Sequence, residues 1–96
     1  MAAYVYILAN KRNGTIYVGA ATDLRSRVYQ HRIGAVAGFT KKYKVDRLVY
    51  YEAFDQLEAA FFRERQLKKW NRSWKIELIE RSNPNWTDLY SEIATW

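Results

Sequence analysis

The sequence predicts a small α/β domain of the α+β type, in which a three-stranded antiparallel sheet is flanked by helices in the order β-β-α-β-α-α. Three observations predict this fold. Two strand-like runs flank the turn-forming pair Asn13-Gly14, a third β-rich run covers Arg47–Ala53, and helix-capping residues precede the remaining apolar segments. The 96 residues suit one domain over residues 1–96, with a C-terminal extension from about 82 to 96 packing on it.

The first two strands form a predicted hairpin. If Asn13 and Gly14 make a two-residue turn, Arg12 pairs with Thr15. A longer loop that closes on Asn10 and Thr15 would preserve the same side-chain parity. Alternation then places five residues on one face of the sheet, namely Tyr4, Tyr6, Leu8, Tyr17 and Gly19. We expect the glycine to leave open space beside the phenols, so this face is either core or a site.

The segment after the hairpin is predicted to begin with a helix. Thr22 or Asp23 can cap it, and it should run to about Ile33, before Gly34. Residues 34–45 mix small, aromatic and basic side chains, and we interpret them as a functional loop with a helical turn.

The third strand is followed by more helices. Asp55 is expected to cap a long helix that ends near Trp70, and Ser73 a further helix that ends near Glu80. Asn83-Pro84 then breaks the chain. Residues 87–93 could form a last short helix.

Composition restricts the chemistry of the protein. Sixteen Lys and Arg against ten Asp and Glu give a net charge of +6, which indicates a polyanionic partner such as nucleic acid, or simply a solvated basic surface. The absence of cysteine excludes disulfides and thiolate metal sites, and a single histidine excludes a zinc site built on imidazoles. The sequence contains no apolar run long enough to span a membrane, so we expect a cytoplasmic protein without a membrane partner.

The first helix carries two basic residues where core residues are expected. Arg27 and His31 fall on the same side as Leu24 and Val28 at helical spacing. The arginine is either catalytic or a snorkelling, phosphate-positioning residue. A lone histidine on such a face is either structural or functional.

The long helix carries a carboxylate in its predicted apolar stripe. Glu64 falls within the arc of the expected buried residues, which are Leu57, Ala60, Phe61 and Leu67. A carboxylate there is costly unless it is paired or binds a cation. It is therefore either a metal ligand or the partner of Lys68 or Arg27 in a salt bridge. Tyr6 and Tyr17, taken separately, would be core residues. Together, phenols, an arginine and a carboxylate suit phosphodiester cleavage.

These residues also form an ordered set of motifs. Tyr4-Val5-Tyr6 is followed by Tyr17-Val18-Gly19, Arg27 comes ten residues after Tyr17, His31 lies one helical turn later, and Glu64 lies on the long helix. In this order they resemble the GIY-YIG nuclease superfamily. Three further segments resemble the small stand-alone bacterial members of that superfamily, at residues 38–43, 48–52 and 83–90.

The resemblance implies a divalent-metal-dependent endonuclease that cleaves DNA. By this analogy Tyr17 would activate the attacking water, with Tyr6 positioning it or assisting. Arg27 would bind the scissile phosphate, and His31 would contact phosphate or adjust the phenol. Glu64 would hold Mg²⁺ or Mn²⁺. The sequence departs from the family pattern at Tyr4, which replaces the name-giving glycine, and at Ala20 and Ala21, which lack the hydroxyls often found there. Some family nucleases also carry a catalytic asparagine beyond the glutamate helix. Asn71, Asn83 and Asn85 are available for that role, but none of them is aligned with it.

Nucleic acid would be held by the charge of the domain itself, since the chain has no separate recognition domain. The expected phosphate contacts are Lys41, Lys42, Lys44, Arg63, Lys68, Lys69 and Arg72. Phe39 and Tyr43 could stack on an unpaired base or else cover the core. The tryptophans at 70, 74 and 86 are expected to be packing residues. The DNA could be branched, damaged or single-stranded.

Three functions are compatible with these features. The first is the endonuclease, the second is a catalytically weak nucleic-acid-binding module with the same fold, and the third is a protein-interaction domain whose basic face meets an acidic partner. Metal-dependent cleavage would favour the endonuclease, and binding without cleavage would favour the binding module. If no nucleic acid binds even at low salt, the protein-interaction domain would be favoured.

Overall fold

The computed structural model of the protein, which describes residues 2–96, contains the predicted three-stranded antiparallel sheet. The strands are β1 (Ala3–Ala9), β2 (Ile16–Ala21) and β3 (Arg47–Phe54). Their order in the sheet is β2-β1-β3, so β1 pairs on both sides and nearly all of its side chains are buried. The fold class predicted from the sequence is therefore confirmed.

The hairpin loop is two residues longer than the predicted two-residue turn. The Asn10 N–H donates to the Thr15 carbonyl at 3.2 Å, and the Thr15 N–H donates to Asn10 Oδ1 at 2.9 Å. Because the Asn10 side chain satisfies this second donor, the loop spans residues 11–14, and Asn13 takes a positive φ of 59°. The two-residue turn is thus wrong and the longer loop is correct. Both place Tyr6 and Gly19 on the same face of the sheet, and the observed register sets them directly opposite each other.

Within residues 2–96 the chain forms five helices, which are α1 (Leu24–Arg32), α2 (Phe39–Tyr43), α3 (Leu57–Lys69), α4 (Arg72–Ser82) and α5 (Tyr90–Ile93). Asp23 caps α1 as predicted, since its carboxylate accepts the Ser26 N–H at 3.1 Å. The other two predicted caps are wrong. Gln56 precedes α3, and Asn71, whose side chain accepts the Trp74 N–H at 2.9 Å, caps α4.

Helices cover both faces of the sheet. On one face, side chains of β1 such as Ile7 pack against Leu67 of α3 and Ile79 of α4. On the other face, Tyr6 and Leu8 share a cluster that also contains the buried residues of α1 and α5, which are Leu24, Val28 and Ile93. The tyrosine face therefore lies under α1, and α3 lies on the opposite side.

The buried stripe of α3 is narrower than predicted. Ala60 and Leu67 are fully buried, but Phe61 is 46% exposed. Since Phe61 is rotated by about 100° from Ala60 around the helix, it projects away from the sheet. The expectation that Phe61 marks the buried face is thus wrong. Glu64 lies between the two buried residues on the same stripe, with a side chain that is 20% exposed.

Buried polar contacts hold the C-terminal segment on the sheet. The Asn83 amide donates to the Val49 carbonyl at 3.0 Å and to the Thr87 carbonyl at 2.9 Å. Asp88 accepts the Leu48 N–H at 3.2 Å and pairs with Arg32 at 2.6 Å. Within residues 2–96 no helix has the length and apolar character needed to cross a membrane.

Candidate active site

Tyr6 is the centre of the candidate site. Its side chain is fully buried in the middle of β1, directly opposite Gly19 on β2. A Cβ at Gly19 would lie 2.5 Å from both Cζ and Oη of Tyr6. The glycine therefore does not leave open space, as the sequence had led us to expect. Its missing side chain is filled by the phenol, and a larger residue would force the ring aside.

A buried hydrogen-bond chain fixes this phenol. Tyr6 Oη lies 3.2 Å from His31 Nε2, and His31 Nδ1 lies 2.9 Å from Thr40 Oγ1. His31 and Thr40 are each only 4% exposed. The chain joins β1, α1 and α2, so His31 contacts the phenol and not the solvent. Thr40 was not recognised from the sequence, because nothing local predicts that α2 folds over α1.

Burial and nearby charged residues both affect the pKa of Tyr6. Burial raises the pKa of Tyr6 well above its usual value, and nearby Tyr17 and Glu64 raise it further. The positive charge of Arg27 lowers the pKa of the same hydroxyl. Tyr17, Arg27 and Glu64 therefore all affect the pKa of Tyr6, and the rings of Tyr6 and Tyr17 lie 6.4 Å apart. Tyr6 stays protonated and can donate a hydrogen bond at neutral pH.

His31 is held in its neutral form. Burial lowers its pKa below the usual value of 6.5, and the charge of Arg27 lowers it further. A neutral imidazole has one donor and one acceptor nitrogen, so each ring nitrogen has one role in the chain from Tyr6 to Thr40.

The stability of the protein should depend on pH through this histidine. The unfolded chain binds a proton more readily than the folded one, so the free energy of unfolding should fall as the pH drops below 6.5. The slope for one proton is at most about 1.4 kcal/mol per pH unit. Urea unfolding at several pH values between 7.5 and 5.5 measures it. His31 is the only histidine, so His31→Gln should flatten the profile, and an equally steep profile in that variant would contradict the assignment.

Tyr17 is the more accessible of the two phenols. Its ring centroid lies 6.4 Å from that of Tyr6 and 5.6 Å from that of His31, and the residue is partly exposed. Arg27 is exposed on α1. A substrate could thus reach Tyr17 and Arg27 from solvent, whereas Tyr6 and His31 act from behind.

The position of Glu64 is compatible with both predicted roles of its carboxylate, a salt bridge and a metal ligand. Glu64 Oε2 lies 3.0 Å from Lys68 Nζ, the predicted i,i+4 salt bridge, yet the carboxylate is not sealed from solvent. Residues 2–96 contain no cluster of three or more His, Cys, Asp or Glu that could enclose a metal. A lone carboxylate does suit Mg²⁺, which commonly keeps several waters and takes substrate phosphate oxygens.

The predicted nucleic-acid contacts divide into two groups. Four lysines are exposed and available, namely Lys41, Lys42, Lys44 and Lys69. Three other residues have protein partners. Arg63 is half-buried and bonded to Glu52 at 3.0 Å, Arg72 donates to the Asn13 and Gly14 carbonyls at 2.7 and 2.6 Å, and Lys68 pairs with Glu64. The guanidinium groups of Arg63 and Arg72 thus have partners in the sheet and the hairpin loop, and their contact with phosphate stays a prediction.

The aromatic residues also differ from expectation. Phe39 and Tyr43 are each 46% exposed, so neither is a core residue. Trp86 is fully buried as predicted, whereas Trp74 is 55% exposed and packs edge-on against Trp70, with ring centroids 5.8 Å apart. Asn71 and Asn83 form the cap and anchor described above, so their hydrogen bonds are structural.

Tyr6 and Tyr17 lie on neighbouring strands, Arg27 lies on α1 and Glu64 lies on α3. The family model described as the GIY-YIG catalytic domain matches residues 2–77. The chain belongs to the GIY-YIG family.

Its relatives are small proteins of similar length. A UPF0213 protein of Staphylococcus saprophyticus is 38% identical over 76 residues, covering 79% of this chain and 92% of the relative. A UPF0213 protein of Haloquadratum walsbyi is 36% identical over 77 residues, covering 80% and 85%. The solution NMR structure of a UPF0213 protein from Bacillus halodurans matches with a TM-score of 0.56 and 32% identity, covering 92% of this chain and 93% of that one.

Proposed function

We propose that the protein is a divalent-metal-dependent endonuclease that cleaves DNA with a water molecule activated by Tyr17. One observation carries the proposal: the ring of the partly exposed Tyr17 lies 6.4 Å from that of Tyr6 and 5.6 Å from that of His31, on the side of the sheet that α1 covers with the exposed Arg27. A base, a cation and a carboxylate close to one point are the groups that phosphodiester hydrolysis requires. The GIY-YIG domain supports a nuclease-like role on nucleic acid.

The burial of the two phenols supports a division of labour between them. Tyr6 has a raised pKa and a fixed hydroxyl, which makes it a poor base but a good hydrogen-bond donor. Tyr17 is the phenol that solvent reaches, so it would take the proton from water. Tyr6 would then position that water or stabilise the Tyr17 oxygen as its charge changes.

The remaining groups would act on the phosphate. Arg27 is exposed beside the phenols, so its guanidinium can bind the scissile phosphate and oppose the charge that develops on it. Glu64 would hold a Mg²⁺ or Mn²⁺ ion, which when bound supplies further charge neutralisation to the phosphate oxygens. The exposed lysines of residues 41–44 would hold the flanking phosphates, so binding should weaken steeply as salt rises.

The test is cleavage of supercoiled plasmid and of a panel of duplex, branched and single-stranded oligonucleotides, with Mg²⁺, with Mn²⁺ and with EDTA. We expect metal-dependent products that EDTA abolishes. Binding without cleavage of any substrate in either metal would overturn the proposal and leave the second function, a catalytically weak binding module.

A further inference from the structure

We propose that Phe39 and Tyr43 form a stacking platform for an unpaired base, so that the preferred DNA has an unpaired nucleotide beside the scissile phosphate. This inference rests on the proposed function and specifies its substrate class. We define the platform as the rings of Phe39 and Tyr43.

The platform lies next to the ring of Tyr17, the proposed general base. The Tyr17 and Phe39 rings are nearly parallel, with centroids 6.5 Å apart and an interplanar angle of 27°. The Tyr43 ring follows at 4.9 Å from Phe39. Three aromatic rings therefore run outwards in series from the site. A base that lies on the outer two would place its own phosphate close to Tyr17.

Exposure indicates that the platform has a ligand. Phe39 and Tyr43 are each 46% exposed, and their ring centroids are 4.9 Å apart. Adjacent exposed aromatic side chains of this size are typical of binding surfaces. The rings present flat apolar faces, which suit another π-system.

The surrounding charge identifies that ligand as a polyanion. Residues 24–45 contain six Lys and Arg and no acidic residue. Lys42 Nζ lies 5.4 Å from the centroid of the Tyr43 ring, so one cation accompanies the platform directly. Alternating cationic and aromatic side chains fit a nucleic-acid strand, whose phosphates and bases alternate in the same way.

The platform also selects the form of the DNA. In a duplex the face of every internal base is covered by its neighbours, so an aromatic ring can stack only on a base that is unpaired or displaced. A single strand, a bulge or a branch point supplies such a base without the cost of unpairing it. We therefore expect fully paired duplex to be the poorer substrate.

Binding measured in EDTA tests the platform without requiring cleavage. The probes are two labelled duplexes, one with a single unpaired nucleotide and the other with an abasic residue at the same position, so that both keep the same phosphates. By fluorescence anisotropy at low salt, the wild-type protein should bind the first probe about tenfold more tightly. Tyr43→Leu should lose most of this difference. Phe62→Leu is the matched control, because Phe62 is 65% exposed on α3, away from the platform, and the tenfold difference should persist.

Each outcome bears on the proposal. Equal binding of the two probes by the wild-type protein would overturn it, and so would a difference that survives both Tyr43→Leu and Phe39→Leu. Base-dependent binding by a protein that never cleaves DNA would remove the endonuclease function and keep the platform. Cleavage at the same rate with and without the unpaired base would remove the platform and keep the endonuclease function.

Discussion

Tyr17→Phe should slow DNA cleavage by about two to four orders of magnitude, the range expected when a general base is removed. The substitution keeps the ring, which preserves the packing against Tyr6 and Phe39, and deletes only the oxygen that would take a proton from water. Affinity for DNA should stay near that of the wild-type protein. The measurement is the single-turnover cleavage rate at saturating protein, with affinity determined separately in EDTA.

Two variants serve as comparisons for Tyr17→Phe. Tyr29→Phe removes a hydroxyl from an exposed tyrosine on α1 and should cleave like the wild-type protein. Tyr6→Phe should lower both the rate and the stability, because it leaves a buried nitrogen of His31 without its partner, at a cost of about 1–3 kcal/mol. Wild-type cleavage by Tyr17→Phe would assign the base to another group.

The sheet and the phenols could be predicted from the sequence because their signals are local. Side chains alternate along a strand, and the register differed from the two-residue turn by two residues, so Tyr6, Tyr17 and Gly19 stayed on one face of the sheet. Helical spacing similarly placed His31 on the buried side of α1. The cap of α4 was missed because Asn71 and Ser73 are both able to cap a helix, whereas α3 follows Gln56, whose side chain makes no capping hydrogen bond.

The parts that could not be predicted depend on contacts between distant segments. Arg72 bonds to carbonyls of the hairpin loop, and Arg63 to a carboxylate on β3, so two arginines expected to bind phosphate have partners in the fold. Thr40 gained its role only because α2 lies against His31. The same packing leaves Phe39 partly exposed beside Tyr17, a position that the sequence did not predict.

Glu64→Gln should reduce metal-dependent cleavage by about two to three orders of magnitude, the effect typical of removing one group that stabilises charge in the transition state. Stability should change by less than about 1 kcal/mol, since the only ion pair of Glu64 in the described chain is with Lys68, which is 52% exposed, and such pairs contribute little. A large loss of activity with a small loss of stability would separate a metal ligand from a structural partner. Cleavage rates over a Mg²⁺ titration, together with urea unfolding, measure both.

Two comparisons decide between the carboxylate and its salt bridge. Lys68→Met breaks the same ion pair but keeps the carboxylate, so its cleavage should retain the wild-type dependence on Mg²⁺ concentration. Glu58→Gln neutralises an exposed carboxylate in the first turn of α3 and should leave the rate unchanged. If Glu64→Gln cleaved at the wild-type rate throughout the titration, the carboxylate would be only the partner of Lys68. The metal would then have to be held by the substrate phosphates or by another group, and the catalytic assignment of α3 would be lost.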